Sequence, residues 1–205
     1  MEKKSANYLF LATIAIGLLY QALPYMNLPE LALTIIGTGW NLLFAFVAGY
    51  CFAKRDFLMQ FKHFSFKTLI WGLPLVLITG LLFSSLYSAI FGQATTNSIG
   101  ETITLQMVFV QVPFMLMGEE LLSTNILISL QKRGLSFLWA SVICSILFAL
   151  WHIPAYGFHP IQLLATLAPA RLALNYIWKK SNSVWVSWIC HFIYDSLGFI
   201  MFFTK

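Results

Sequence analysis

Seven stretches of this chain run for the length of a membrane-crossing helix with almost no charged side chain in them: Tyr8–Tyr25, Leu31–Ala53, Thr68–Phe91, Thr102–Leu130, Leu135–Pro154, Ile161–Trp178 and Val184–Phe203. A bilayer core takes about 20 mostly apolar helical residues to cross. Continuous apolar runs argue against a membrane strand barrel, whose segments alternate residue by residue. The charge count closes off the soluble alternative. Charged residues make up 9% of the 205 and hydrophobic ones 60%, against about 25% and roughly 45–50% in an ordinary soluble domain. Too few charges remain to coat a water-facing surface, and a disordered chain would show the opposite bias. The expected fold is an all-α integral membrane protein, a bundle of about seven transmembrane helices forming one polytopic domain over residues 1–205.

The basic residues orient that bundle. Lys3 and Lys4 precede the first run, Lys54, Arg55, Lys62 and Lys67 follow the second, Lys132 and Arg133 the fourth, and Lys179 and Lys180 the sixth. With a cytoplasmic N-terminus, ten of the twelve Lys and Arg face the cytoplasm, leaving only Arg171 and Lys205 outside the pattern. Seven spans then place the C-terminus outside a cell membrane crossed many times. Basic residues divided in this way form no single patch, so no nucleic-acid partner is expected; the bilayer is. The start Met1-Glu2-Lys3-Lys4 resembles a signal peptide, but no A-x-A-like site follows the apolar run, and an uncleaved first helix is expected. The Lys54–Lys67 segment interleaves its basic residues with phenylalanines, which suits a short helix on the inner membrane surface or a plain connector. Cys51, Cys144 and Cys190 lie inside apolar runs and read as buried small side chains rather than a disulfide framework. Pro113 is expected to kink the long fourth run just before Glu119.

Glu119, Glu120, Arg171 and Asp195 lie within these runs, with His152 and His191 in or beside them. A charge at the bilayer centre costs about 2.5–3.5 kcal/mol on the insertion scale, so such groups must face the bundle interior, pair or stay neutral, and they are functional candidates. His191 and Asp195 are four apart and share a helix face, as do Phe148 and His152. Glu119 and Glu120 are adjacent and point about 100° apart. Two acids so close in low dielectric raise the pKa of at least one, which suits a general base for water.

Gly118-Glu119-Glu120, then Phe148-x-x-x-His152, then His191-x-x-x-Asp195 resemble, in order, the three motifs of the CPBP intramembrane proteases. That family, also called Abi, groups CAAX prenyl endopeptidases with bacteriocin-processing and immunity proteins. The resemblance covers residues 117–197. The family's first motif ends in an arginine four residues after its second glutamate, where this chain has Thr124, a hydroxyl donor without charge.

The resemblance implies an endopeptidase acting on a membrane-anchored peptide or protein without a covalent intermediate. Glu119 would activate water, His152 orient it or assist proton transfer, and His191 with Asp195 steady the oxyanion. Glu120 would be structural or tune Glu119, and Phe148 would pack and shape the site. No cofactor is expected; a zinc ion held by Glu119, His152 and His191 is the alternative, though no H-E-x-x-H occurs. Two other functions compete: a catalytically inactive relative serving as a membrane scaffold, immunity or regulatory protein, which the missing arginine favours, and a proton-coupled transporter. Arg171 has two readings. It pairs with Glu120 from another helix, replacing the arginine absent at Thr124, or it snorkels to the inner surface along its stem.

Overall fold

The computed structural model describes residues 1–203, so Lys205 lies outside the described residues. It is helical, with no strand among the described residues. Each of the seven apolar runs holds one long helix: α1 (Lys3–Tyr20), α2 (Glu30–Ala48), α4 (Phe66–Phe91), α6 (Val112–Lys132), α7 (Phe137–Trp151), α9 (Pro160–Ser181) and α10 (Val184–Phe203). Short helices α3 (Arg55–Leu58), α5 (Leu105–Val110) and α8 (Ile153–Tyr156) complete the set. Two segments, Glu30–Ala53 and Phe66–Phe91, are long and apolar enough by themselves to cross a membrane.

Local chemistry sets the boundaries. Ser65, Thr104 and Ser136 cap α4, α5 and α7 by accepting the backbone N–H three residues on. The fourth run is broken rather than kinked. Pro113 lacks an N–H, α5 stops at Val110, and Gln111, at φ −105° and ψ −50°, separates it from α6. A left-handed Asn182 (φ 50°) closes α9 and turns the chain into α10.

Helix α6 is the axis of the bundle. From Leu116 to Leu130 every residue but Glu119 is buried, and α1, α2, α7 and α10 pack around it. At its upper end it meets α2 closely: a Cβ on Gly118 would fall 2.6 Å from the Leu42 backbone nitrogen and 2.7 Å from the Asn41 Cβ. Only glycine permits that approach, as in other close-packed membrane helices. Helix α9 lies behind, against α4, α7 and α10. Trp188 donates its indole N–H to the Pro113 carbonyl at 2.8 Å, fastening α10 to the start of α6.

The polarity is inverted relative to a soluble bundle. Ser123, Asn125, Ser129, Ser141, Ser145 and Asn175 are buried, whereas Leu31, Ile35, Ile70, Leu81 and Ile90 are 62–71% exposed on the outer surface.

The basic clusters gather at one end. Lys132 pairs with Asp56 at 3.0 Å, and the N-terminal ammonium reaches the same carboxylate at 3.3 Å. Arg133 lies over the Phe10 ring and Lys179 over that of Phe137. The Lys54–Lys67 segment is neither a surface helix nor a plain connector. Phe57 and Gln60 are buried, and Gln60 accepts the Trp178 indole N–H at 3.0 Å, so the segment plugs this end of the bundle. Its aromatic residues find a core against α2 and α10, which outweighs lying on a membrane surface. Cys144 and Cys190 are buried as expected; Cys51 is exposed, because the outer face of the π-turn at Gly49–Ala53 carries it.

Candidate active site

Helix geometry separates the two adjacent acids. Glu120 is fully buried and faces α9 and α10. Its carboxylate receives the Arg171 guanidinium in a forked pair, Nη1 on Oε1 and Nη2 on Oε2 at 3.1 Å. Of the two readings of Arg171, the structure has the pair, with the side chain 1% exposed. A third guanidinium donor, Nε, goes to the Asn175 Oδ1 at 3.0 Å, and Asn175 is held by the Ser141 hydroxyl at 2.9 Å. The Phe148 ring sits over the guanidinium at 5.3 Å. Buried on every side, the arginine has its charge matched by Glu120 and three of its five N–H groups bonded.

Thr124 does not stand in for the absent arginine. Its hydroxyl donates to the Leu121 carbonyl at 3.2 Å, within its own helix, the usual back-bond of a threonine in an apolar helix.

Glu120 also accepts from His191. The imidazole Nδ1 lies 3.0 Å from Oε1, and a carboxylate only accepts there, so Nδ1 carries the hydrogen. That turns Nε2 toward two further carboxylates, Asp195 at 3.7 Å and Glu119 at 3.9 Å. Glu119, Glu120, His191, Asp195 and Arg171 are thus assembled from three helices into one cluster. Neither of the longer approaches is a hydrogen bond, and Glu119 keeps its oxygens free of any hydrogen-bond partner among the described residues.

Glu119 faces a cavity of about 520 Å³, which Phe148 and His152 also line. His152 ends α7, where its Nδ1 meets the Phe148 carbonyl at 2.8 Å. A carbonyl can only accept, so Nδ1 is protonated and a neutral ring keeps its lone pair at Nε2. The other walls are Tyr20 and Gln21 from the end of α1 and Asn41 from α2, with Asn97–Ile99 over them. The roof is pinned: Thr95 and Gln162 exchange backbone and side-chain hydrogen bonds of 3.0 and 2.8 Å. His191 and Asp195 do not line the cavity; they stand behind Glu119. Every lining element lies at the end of the bundle away from the basic clusters.

The zinc alternative was Glu119, His152 and His191. Among the described residues, no three His, Cys, Asp or Glu side chains stand close enough to hold a metal ion. His191 and His152 each spend Nδ1 on an acceptor and keep Nε2 free, a pattern that metal-bound histidines share.

Sequence reasoning did not single out Asn175, Ser141 and Ser145 behind Arg171, or Tyr20 and Asn41 on the cavity. Asn41 and Asn175 carried a signal, a carboxamide within an apolar run, and Asn175 follows Arg171 by one helical turn.

No curated protein and no solved structure matches the chain. A family model does, over residues 100–197, and its description is type II CAAX prenyl endopeptidase Rce1-like. The matched segment runs from the cavity roof through α10 to just past Asp195 and includes each motif residue and Arg171. Residues 100–197, just under half of the chain, thus resemble the Rce1-like type II CAAX prenyl endopeptidases.

Proposed function

We propose that the chain is an intramembrane endopeptidase that hydrolyses a peptide bond of a membrane-anchored substrate with water activated by Glu119. One observation carries this reading: Arg171 and His191 occupy the carboxylate of Glu120, while its neighbour Glu119 faces the cavity with no hydrogen bond among the described residues, 3.9 Å from the His191 Nε2. The inactive-scaffold alternative leaned on the missing arginine, and a guanidinium on Glu120 from α9 weakens it.

In the proposed reaction, the Glu119 carboxylate takes a proton from water, and the oxygen adds to the scissile carbonyl carbon as the carbonyl pair moves onto oxygen. His152, its tautomer fixed by the Phe148 carbonyl, accepts the water's second hydrogen at Nε2 and orients the attack. As the tetrahedral intermediate collapses, the carbon–nitrogen bond breaks and Glu119 returns its proton to the leaving amine. The products are a carboxylic acid and an amine, with one water consumed. Arg171 acts through Glu120 as a positioning residue, and Glu120 in turn fixes the ring of His191. No step passes through a metal.

The burial of polar side chains beneath an apolar surface supports a multi-pass bundle of seven spans. With the basic end cytoplasmic, the cavity opens at the outer face. The substrate is then a chain presented near the outer boundary, which fits bacteriocin processing or self-immunity better than a cytoplasmic CAAX tail. Purified protein in detergent, offered a panel of lipid-anchored and membrane-spanning peptides, tests the activity. Mass spectrometry should find one new pair of termini; products absent across the panel would leave the inactive relative as the better reading.

A further inference from the structure

Three asparagines are buried in the bundle, and two hold it together. Asn125 donates from Nδ2 to the Ala45 carbonyl at 2.8 Å, and Asn175 joins Arg171 to Ser141. Asn41 is different. It is 8% exposed, its Oδ1 is sealed from solvent with no partner, and its side chain makes no hydrogen bond among the described residues. A carboxamide in an apolar helix is ordinarily paired, because its donors and acceptor are costly to strand. It also has a fixed address: α2 presses it against Gly118, next to Glu119, and it lines the same cavity as Glu119 and His152.

We propose that Asn41 is a substrate-contacting residue whose carboxamide hydrogen-bonds the peptide backbone at the scissile bond, donating to the carbonyl that becomes the oxyanion. The group fits the ligand. With Oδ1 sealed, the amide end left toward the cavity is Nδ2, a donor, which is what a developing oxyanion needs. Asp195 is poorly suited to that task. It is not among the residues of the cavity wall, and an ionised carboxylate has no hydrogen to give. Asn41 lines the cavity from α2, whose backbone is pressed against α6 at the glycine contact. This inference rests on the endopeptidase reading for its chemistry, but its geometry concerns any peptide that enters the cavity.

Asn41→Leu keeps the branching at Cγ and removes both hydrogen-bonding groups. With a peptide that the wild type cleaves, kcat should fall about 100-fold, as when one oxyanion donor is lost, while KM changes little. Its Tm should stay level or rise, since a stranded polar group is replaced by an apolar one. Asn41→Gln, which retains the amide, should fall between the two. Unchanged kcat would overturn the proposal, and so would a drop in Tm matched by a proportional loss of active protein. If the wild type cleaves nothing, the endopeptidase reading fails and Asn41 is judged on binding. A synthetic lipid-anchored peptide from the same panel should then raise the Tm of the wild type and not that of Asn41→Leu. Equal shifts, or no shift in the wild type, would overturn the proposal.

Discussion

Arg171 of α9 and Glu120 of α6 form a forked ion pair in the middle of the bundle, 51 residues apart in sequence. The pair joins the two helices that the first motif would otherwise have left independent, and it fixes the carboxylate that holds His191. Removing one partner strands a buried charge, which costs about 3–5 kcal/mol in comparable cases. Glu120→Gln and Arg171→Gln should each lower the Tm in detergent sharply. The double mutant should lose clearly less than the sum, because neither charge then remains unpaired. Strictly additive losses would mean that the two side chains do not act as a unit.

A second ion pair, at the basic end, is sensitive to acid. Burial alone would raise the pKa of Asp56, but hydrogen bonds and charge from Lys132 and the N-terminal ammonium outweigh it and hold the carboxyl below its usual value. A carboxyl with a depressed folded pKa stabilises the protein above its unfolded pKa of about 3.9, and that contribution is lost as pH falls through the lower folded value. The pair is partly exposed, so the effect is small, about 0.2–1 kcal/mol. Asp56→Asn should melt slightly below the wild type at pH 6, and the two curves should converge as acid takes the pH below the usual carboxylate range. A gap that persists in acid would assign the loss to packing instead.

The side of the membrane on which the cavity opens follows from where the charges gather. Arg133 lies at the basic end and Ser98 in the cavity wall. With Cys51 replaced by Ser, Ser98→Cys should react with a membrane-impermeant maleimide in intact cells, and Arg133→Cys only after permeabilisation. The reverse pattern would put the cavity on the cytoplasmic side and restore a cytoplasmic substrate.

The helical bundle was legible because apolar runs long enough to span a membrane leave the chain little else to form. The cluster was legible because Glu119, Glu120, His191 and Asp195 are too costly in an apolar helix to be there without a purpose. Arg171 was visible as an anomaly, but its destination was not: pairing and snorkelling differ by how helices far apart in sequence pack, and spacing along one helix says nothing of that. Asn41 escaped notice for a similar reason. One carboxamide in an apolar run is usually a helix-to-helix bond, and only the three-dimensional structure leaves it without a partner. The Lys54–Lys67 segment misled because its phenylalanines suit a membrane surface and a protein core equally well. The end of the bundle offered them a core.

The central claim is that Glu119 is the base. Glu119→Gln preserves the shape of the side chain and removes its ability to take a proton. Because Glu119 accepts no hydrogen bond among the described residues, the Tm should remain within a degree or two of the wild type, a surface-like change of about ±0.5 kcal/mol. The most direct measurement is single-turnover cleavage of a membrane-anchored peptide by wild type and Glu119→Gln, purified side by side and matched for Tm. The account predicts that the variant binds the peptide and produces no detectable fragment. Cleavage at the wild-type rate by folded Glu119→Gln would contradict it.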